Sequence, residues 1–240
     1  MRFDIITIFP DIFDSYFNES ILARARKNNL IKIKIHSLRD YAADKRKTVD
    51  DTPYGGGAGM ILKIEPIYRA LVKIVGKSKL KCFRNKIGNN PKKSRKTRII
   101  LLSAKGKKFD QAMARKFSKL DRIIFVCGRY EGVDERVAKY LCDEEISIGN
   151  YVLTGGELPA MVMIDAIARL IPGTLGNIES LKEESFATGP KSEKKRGMEY
   201  PQYTKPKIFS PDKKTNWRAP KVLLSGNHGM IKKWRENKKR

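Results

Sequence analysis

The sequence has few cysteines and no cysteine pair with metal-binding spacing. Only 3 of its 240 residues are cysteine, and none of them forms a Cys-x-x-Cys pair. An odd number without that spacing supports neither a disulfide framework nor a cysteine-based zinc site. This usage fits a reducing compartment, and we expect a cytoplasmic protein.

Long apolar runs are also missing. No stretch approaches the roughly 20 uncharged apolar residues that cross a bilayer, and the apolar start from Phe3 to Phe13 is interrupted by Asp4 and Pro10. We therefore expect no membrane association and a soluble, mature start. The sequence shows no internal repeat, and its length suffices for one well-buried core with a smaller appended unit.

Acidic residues are scarce relative to basic ones. The chain has 51 Lys+Arg against 26 Asp+Glu, a net charge of +25. Such a field concentrates polyphosphates near the protein, so the charge favours a nucleic-acid partner. The alternative is a lysine-rich surface that reflects compositional bias and is merely solvated.

The positive charge is concentrated in two regions. Residues 77–98 contain ten Lys or Arg and no acid, with Gly88 to Pro91 marking an irregular loop, which predicts a basic insertion. Residues 191–240 combine positive charge with aromatic rings that could contact RNA, although core packing is the more usual role of such rings.

The order of secondary-structure patterns indicates an α/β fold. Short β-branched or aromatic runs predict strands at Phe3–Phe9, Ile31–His36, Arg98–Ser103 and Arg122–Cys127. Helical patterns lie at Ser20–Asn28 with a serine cap, Glu65–Val75, Lys107–Leu120, Leu158–Ile171 and about Ile231–Lys238. Strands that alternate with helices are typical of a parallel sheet covered by helices.

Three glycine-rich segments carry the strongest functional signals. They are EISIGNYVLTGGELP at 145–159, VCGRYEGVDERV at 126–137 and KRKTVDDTPYGGGAGM at 45–60. The first turns twice before a helix and exposes backbone groups that could recognise an adenine or ribose, and the second follows a predicted strand, where α/β folds bind ligands. The third must be flexible or approach something closely. Ordinary tight turns are the alternative for the first.

Two common nucleotide-binding motifs are excluded. No Gly-Lys-Ser/Thr follows the three consecutive glycines, as a P-loop requires, and no Gly-x-Gly-x-x-Gly turn follows the first predicted strand. The glycine-rich segments therefore indicate neither a P-loop nor a Rossmann dinucleotide site.

Six segments in order resemble the bacterial tRNA (guanine-N1) methyltransferase family over nearly the whole chain. They are PYGGGAGM, CGRYEGVDER, SIGNYVLTGGELPAM, IPGTLG, YPQYTKP and VLLSGNH. The resemblance implies a SPOUT fold, in which a parallel sheet with flanking helices carries a deep trefoil knot, followed by a small, mainly helical C-terminal domain. It also implies a homodimer whose active sites lie between subunits. We expect a methyltransferase domain at 1–175, a flexible linker at 176–192 and a basic tRNA-binding domain at 193–240.

The resemblance further implies S-adenosyl-L-methionine as methyl donor. The residues that match its binding segments are Leu102, Ser103, Gly128, Tyr130, Ile148, Gly149, Asn150, Tyr151, Val152, Leu153, Gly155 and Gly156. Two motifs depart from the family pattern. The family's Ser-Pro-Gln-Gly is Ser103-Ala104-Lys105-Gly106 here, and its Gly-Asp-Tyr is Gly149-Asn150-Tyr151.

Methylation of guanine N1 requires a base that removes the N1 proton and a cation that stabilises charge on O6. The resemblance implies Glu184 as base, where the family has aspartate, and Arg169 as the cation. An ion pair with Asp165, one helical turn earlier, is the alternative for Arg169. Glu131 is implied to contact the base beside the target guanine, and a surface salt bridge with Arg129 or Arg136 is its alternative.

Other functions and ligands stay open at this point. A knotted enzyme that methylates ribose 2′-OH and a non-catalytic RNA-binding protein are the two alternatives. The resemblance implies a use of Mg²⁺, for which Asp50, Asp51 and the carboxylates near Glu131 are the only candidates, and no ligand cluster stands out. Neither His36 nor His228 is expected to be catalytic.

Overall fold

The computed structural model describes residues 1–77, 80, 96–176 and 199–238. The chain divides into two compact units, Met1–Gly176 and Asn177–Arg240. The predicted base Glu184, the predicted linker beyond Gly176 and most of the predicted basic insertion lie outside the described residues.

The first unit is built on a five-stranded parallel sheet. Its strands are β1 Arg2–Thr7, β2 Lys32–Ser37, β5 Thr97–Lys108, β6 Arg122–Cys127 and β7 Glu144–Ser147. They lie in the order β2-β1-β6-β5-β7, and every neighbouring pair is parallel. The parallel sheet confirms the predicted α/β class. A separate antiparallel pair joins β3 Asp50–Asp51 to β4 Ile61–Leu62.

Six helices accompany these strands in the described part of the first unit. They are α1 Asp14–Phe17, α2 Ser20–Lys27, α3 Ile64–Val75, α4 Gln111–Phe117, α5 Glu135–Tyr140 and α6 Glu157–Ala168. The predicted helices at 20–28, 65–75 and 158–171 are confirmed within a few residues at each end. Short 3-10 turns lie at Pro10–Phe13 and Leu38–Tyr41.

Two local predictions are wrong. The helix expected from Lys107 begins only at Gln111, because the chain to Lys108 is still paired in the sheet and the Asp110 side chain then caps the helix by accepting from the Met113 amide at 2.8 Å. The expected serine cap of α2 is absent, since Glu19 stands at the cap without a side-chain hydrogen bond, and Ser20 is the first residue of the helix with a positive φ of +50°.

Strand β7 is paired with two different parts of β5. Leu102 and Lys107 both register with Ile146, and the intervening residues 103–106 are the irregular part of β5. A Cβ added to Gly106 would overlap the backbone of Ile146. The chain therefore passes directly across the end of β7 at this point, and only glycine allows so close an approach.

The sheet is buried on both faces, as expected for parallel strands covered by helices. Alternate residues of β6 belong to opposite clusters, with Ile123 and Phe125 on one face and Ile124 and Val126 on the other. Helices α2, α4 and α6 contribute to the first cluster, while α3 and α5 contribute to the second. The two cores fix the ends of β5, β6 and β7.

A buried carboxylate lies on β1, remote from these strand ends. Asp4 accepts hydrogen bonds from Arg2 at 2.8 Å and Arg122 at 2.7 Å, and His36 Nε2 lies 2.7 Å from its other oxygen. Burial alone would raise the pKa of Asp4, but these hydrogen bonds outweigh it and hold the pKa well below its usual value. This network stabilises the sheet and gives His36 a structural role.

The described part of the second unit, 199–238, contains a short hairpin and a helix. The hairpin pairs β8 Ile208–Phe209 with β9 Trp217–Arg218 in antiparallel fashion. A 3-10 turn at Lys221–Leu224 precedes helix α7, His228–Lys238. In the described residues of both units, no helix has the length and apolar character needed to cross a membrane.

Candidate functional site

A cavity lies at the edge of the sheet where the chain leaves β5, β6 and β7. Its walls come from residues 101–105, 128–133, 145–149 and 151–156 together with Glu135, Ala138 and Pro159, and its volume is about 250 Å³. The carboxyl ends of parallel strands are the usual ligand-binding edge of an α/β sheet. The volume lies near the lower end of the range for small-molecule sites, roughly 300–1,000 Å³.

The cavity brings together nearly all of the residues predicted to bind the methyl donor. Asn150 is the exception, because it does not line the walls, whereas Gly149 and Tyr151 on either side of it do. Glu131, predicted to contact the substrate base, also lines the cavity. Segments that are far apart in sequence therefore form one site.

Gly156 marks the closest approach between two walls of the cavity. Its amide donates to the carbonyl oxygen of Gly128 at 2.9 Å. A Cβ added at Gly156 would lie 2.7 Å from the Cα of Cys127 and 3.1 Å from the amide nitrogen of Gly128. Because both are backbone atoms, no side-chain rotation could relieve the contact. This glycine therefore sets the spacing between the end of β6 and the start of α6.

Four consecutive backbone amides lie in the loop before Gly156. Among the described residues, none accepts a hydrogen bond from the main-chain N–H of residues 150–153. Tyr151, Val152 and Leu153 nevertheless line the cavity. Backbone polar groups usually find partners, so this loop can offer donors to a bound ligand.

Tyr130 lies in the opposite wall with an uncommon backbone conformation. Its φ of +58° falls in the left-handed region, which a bulky residue seldom adopts. Such residues persist where the surrounding structure holds them and are frequent at binding sites. Glu131 N–H donates to the Met60 carbonyl at 3.0 Å and Leu62 N–H to the Gly132 carbonyl at 3.0 Å, which secures this wall.

The glycine-rich segment at 55–59 lies against the same wall. A Cβ at Gly59 would be 2.6 Å from Glu131 Cγ, so the Glu131 side chain crosses the Gly59 backbone. The expected close approach of this segment is therefore observed. Within the described residues Glu131 forms no ion pair, because Arg129 pairs with Glu157 and Arg136 pairs with Asp134. The described residues therefore do not form the surface salt bridge that was the alternative role for Glu131.

A buried acid supports the cavity and was not identified from the sequence. Glu157 is 1% exposed and accepts hydrogen bonds from Thr7 Oγ1 at 2.7 Å and Arg129 Nε at 2.8 Å. Arg129 also lies 4.6 Å from the centre of the Phe9 ring and donates to the Thr154 carbonyl at 3.3 Å. This network joins β1, the chain after β6 and the start of α6. An acid directly after two glycines at a helix start was the available signal.

The thiol of Cys127 lies beneath this network. Burial, with the charge of Glu157 as a second cause, raises the pKa of Cys127 well above its ordinary value. The thiol is fully buried and stays protonated at neutral pH, so it is inert as a nucleophile. The cavity therefore offers acids, cations and backbone groups, and no activated cysteine.

Arg169, the predicted catalytic cation, does not line this cavity. It lines a second concavity with Ile12, Tyr16, Leu158, Val162 and Asp165. Burial, with the nearby charge of Asp165 as a second cause, raises the pKa of Tyr16. The intrahelical ion pair with Asp165 therefore stays an alternative for Arg169.

Metal ligands do not cluster in this part of the molecule. The described ranges contain no group of three or more His, Cys, Asp or Glu side chains that could hold a metal ion. Asp51 is instead within 3.8 Å of Lys63 Nζ. The described residues therefore do not by themselves fit a magnesium site.

Comparison with known proteins places the chain in a family. The family model described as tRNA (Guanine-1)-methyltransferase TrmD matches residues 1–240. A protein of Dictyoglomus turgidum named tRNA (guanine-N(1)-)-methyltransferase is 47% identical over 98% of this chain and 83% of its own length. Proteins with the same name from Staphylococcus haemolyticus and Clostridioides difficile are 44% and 46% identical over 100% and 98% of this chain, and over 86% and 90% of their own lengths. A match along the full sequence, together with the cavity that its motifs form, shows that this chain belongs to the tRNA (guanine-1)-methyltransferase TrmD family.

Proposed function

We propose that the protein transfers a methyl group from S-adenosyl-L-methionine to N1 of the guanosine at tRNA position 37, directly 3′ of the anticodon, and thereby supports reading-frame maintenance. The observation that carries the proposal is the cavity between Gly128 and Gly156, formed by the family's motifs in a chain that matches the family from end to end. As a tRNA-modifying enzyme it would act in the cytoplasm.

The cavity suits the donor in three respects. Leu101, Leu102, Ile148 and Val133 provide apolar surface for an adenine ring. The amides of residues 150–153, which find no acceptor among the described residues, can donate to ring nitrogens or ribose oxygens. The carboxylates Glu131, Glu135 and Glu145 favour the positive sulfonium and ammonium groups.

A trefoil knot would explain the close backbone crossings around this cavity. Strand β7 lies between two stretches of β5, and the chain at Gly106 crosses its end. The loop after β7 then returns to meet Gly128 through Gly156. We propose that these crossings form the knot, which holds the donor loop in a fixed shape before the ligand arrives.

The chemistry requires one proton transfer and one methyl transfer. In the proposed mechanism the Glu184 carboxylate accepts the N1 proton, the N1 electron pair forms a bond to the methyl carbon, and the carbon–sulfur bond breaks with its electrons on sulfur. The products are 1-methylguanosine, S-adenosylhomocysteine and a protonated Glu184. The Arg169 guanidinium stabilises negative charge on O6. Glutamate carries the same acid as the family's aspartate on a side chain longer by one methylene.

A homodimer would bring Arg169 to the donor. Ile12, Tyr16, Leu158 and Val162 are exposed around Arg169, and this apolar surface fits a second copy of the chain. Two-fold association would then place the Arg169 of one subunit beside the cavity of the other. Co-expression of Gly156→Ala and Arg169→Ala chains tests this arrangement. At equal expression about half of the dimers are mixed, and each mixed dimer has one of its two sites intact, so the sample would have about a quarter of wild-type activity. No recovery of activity would contradict a shared site.

The two units would divide the work. Residues 1–176 hold the donor cavity, and we propose that the basic second unit binds tRNA. The proposed base Glu184 belongs in sequence to the second unit, Asn177–Arg240, and lies outside the described residues.

The product distinguishes this function from its alternatives. Wild-type protein is incubated with labelled donor and a tRNA transcript, and the RNA is digested to nucleosides for chromatography. The proposal predicts 1-methylguanosine as the labelled nucleoside. Label in a 2′-O-methylated nucleoside would show a ribose methyltransferase, and RNA binding without donor binding would show a non-catalytic protein.

A further inference from the structure

The aromatic residues of the second unit fall into two groups in the structure. Tyr200 is 7% exposed beneath the Arg235 guanidinium, and Trp234 packs edge-on against the Tyr203 ring at 6.4 Å. Phe209 and Trp217, by contrast, are 51% and 62% exposed. Core packing therefore explains Tyr200. Tyr203 is itself 51% exposed but packs against Trp234, whereas Phe209 and Trp217 are exposed together.

Phe209 and Trp217 form a cross-strand pair on the β8–β9 hairpin. They are direct partners in the antiparallel register, so both side chains lie on the same face. Their ring centres are 5.7 Å apart and the planes are inclined by 40°. The two rings thus form an adjacent, mutually tilted aromatic pair that is exposed to solvent.

The hairpin tip is fixed by its own hydrogen bonds. Asp212 Oδ1 accepts from the amides of Lys214 and Thr215, both at 2.7 Å, and the Ser210 hydroxyl donates to Asn216. Beyond the strands, the Ala219 amide donates to the Lys207 carbonyl at 3.0 Å. The ring pair therefore stands on a structured support, and little ordering entropy remains to be lost on binding.

Most of the charged side chains around the ring pair are positive. Between residues 205 and 218 the only acid is Asp212, and the basic side chains are Lys205, Lys207, Lys213, Lys214 and Arg218. All of these lysines are exposed. An exposed aromatic pair among exposed cations matches a nucleobase with its flanking phosphates, because a ring face can stack on the base and the cations can bind the phosphates.

We propose that the Phe209–Trp217 pair is a stacking platform for an unpaired nucleobase of the tRNA substrate. This deepens the proposed function and rests on it for the identity of the RNA. The platform takes a base by its flat face, so it contributes affinity with little base selectivity. The lysines at the tip add the salt-dependent part of that affinity.

Fluorescence tests the contact directly, because the chain has only two tryptophans. In a Trp234→Phe background the emission of the full-length protein comes from Trp217 alone. Titration with a tRNA transcript is expected to quench this emission in a saturable manner, with a midpoint that rises with salt. Unchanged emission at concentrations where filter binding shows a bound complex would overturn the proposal.

Matched variants then measure the contribution. Trp217→Ala is expected to weaken tRNA binding about 5- to 150-fold, while Trp217→Phe retains most of the affinity. Met230→Ala is the control, since this residue is exposed in the same unit but belongs to helix α7 and not to the hairpin. The donor dissociation constant should stay unchanged in all three. Equal tRNA affinity in Trp217→Ala and wild type would refute the platform.

Two outcomes distinguish a stacking platform from a subunit contact and from a failure of the methyl-transfer function. If Trp217→Ala converts the protein from dimer to monomer in sedimentation, the hairpin is a subunit contact and the platform is refuted. If wild type binds tRNA with quenching of Trp217 but produces no 1-methylguanosine, the proposed function fails while the platform stands.

Discussion

Substitution of Gly156 by alanine tests whether the spacing between the two walls controls donor binding. The added Cβ would lie 2.7 Å from the Cα of Cys127, about 0.8 Å inside the optimal carbon–carbon separation of roughly 3.5 Å. The opposing atoms belong to the backbone, so the loop before α6 must move away from the end of β6. Such overpacking costs about 1–3 kcal/mol.

The displacement falls directly on the donor cavity, since Gly128 and Gly156 both line it. If the loop must return to its wild-type position to bind the donor, the strain of about 1–3 kcal/mol opposes binding. The donor dissociation constant then rises about 5- to 150-fold. Titration calorimetry with S-adenosylmethionine measures this constant, and circular dichroism verifies that the variant is folded at the temperature used.

Two other glycines provide controls for this experiment. A Cβ at Gly176 meets no atom within 4 Å, so Gly176→Ala should bind the donor as wild type does. The three atoms nearest to a Cβ at Gly149 all belong to the Tyr151 ring, which is exposed and can rotate, so Gly149→Ala should have a smaller effect. Donor affinity in Gly156→Ala within twofold of wild type would refute the reasoning.

Three further predictions follow from buried charges and the basic insertion. Glu157→Gln weakens the hydrogen bonds from Thr7 and Arg129, so it should lower the free energy of unfolding by about 1.5–3 kcal/mol and raise the donor KM. The exposed control Glu135→Gln should change the free energy of unfolding by less than about 0.5 kcal/mol. Equal denaturation midpoints for the two variants would contradict this prediction. Because Asp4 has a lowered pKa in the folded state, its contribution to stability is present above about pH 4 and is lost as the pH falls below that. Asp4→Asn should therefore unfold more easily at pH 7, and its stability should fall less steeply than that of wild type as the pH is lowered. An unchanged dependence of stability on acidic pH would contradict this prediction. Deletion of residues 81–95 should weaken tRNA binding and reduce its salt slope with donor affinity unchanged; an unchanged slope would count against an RNA contact.

Parts of the fold were predictable because they depend on local pattern. The strands at β1, β2, β5 and β6 carry dense β-branched or aromatic residues, and α3 ends at Gly76, where φ is positive. The helix expected from Lys107 was misplaced because its first residues pair with β7. That pairing is a long-range contact, which overrides local helical preference and leaves no periodic signal in the sequence.

The residues that line the cavity were predictable from the sequence, but the buried network that supports the cavity was not. Motif resemblance located the wall residues from Gly128 to Gly156, whose grouping follows from parallel strands ending at one edge. The role of Glu157 was missed because its partners Thr7 and Arg129 are distant in sequence. Similarly, the exposure of Phe209 and Trp217 depends on the hairpin register, which composition does not reveal.

The most direct test of the account is single-turnover methyl transfer from prebound labelled S-adenosylmethionine to a tRNA transcript with guanine 3′ of the anticodon. A transcript with adenine at that position is the control, and Glu184→Gln and Arg169→Ala are compared with wild type. The account predicts label on guanine N1 only, and transfer about 10²- to 10⁴-fold slower in Glu184→Gln, with a large loss also in Arg169→Ala, while the donor stays bound. Wild-type protein that binds the donor but leaves that guanine unmethylated would contradict it.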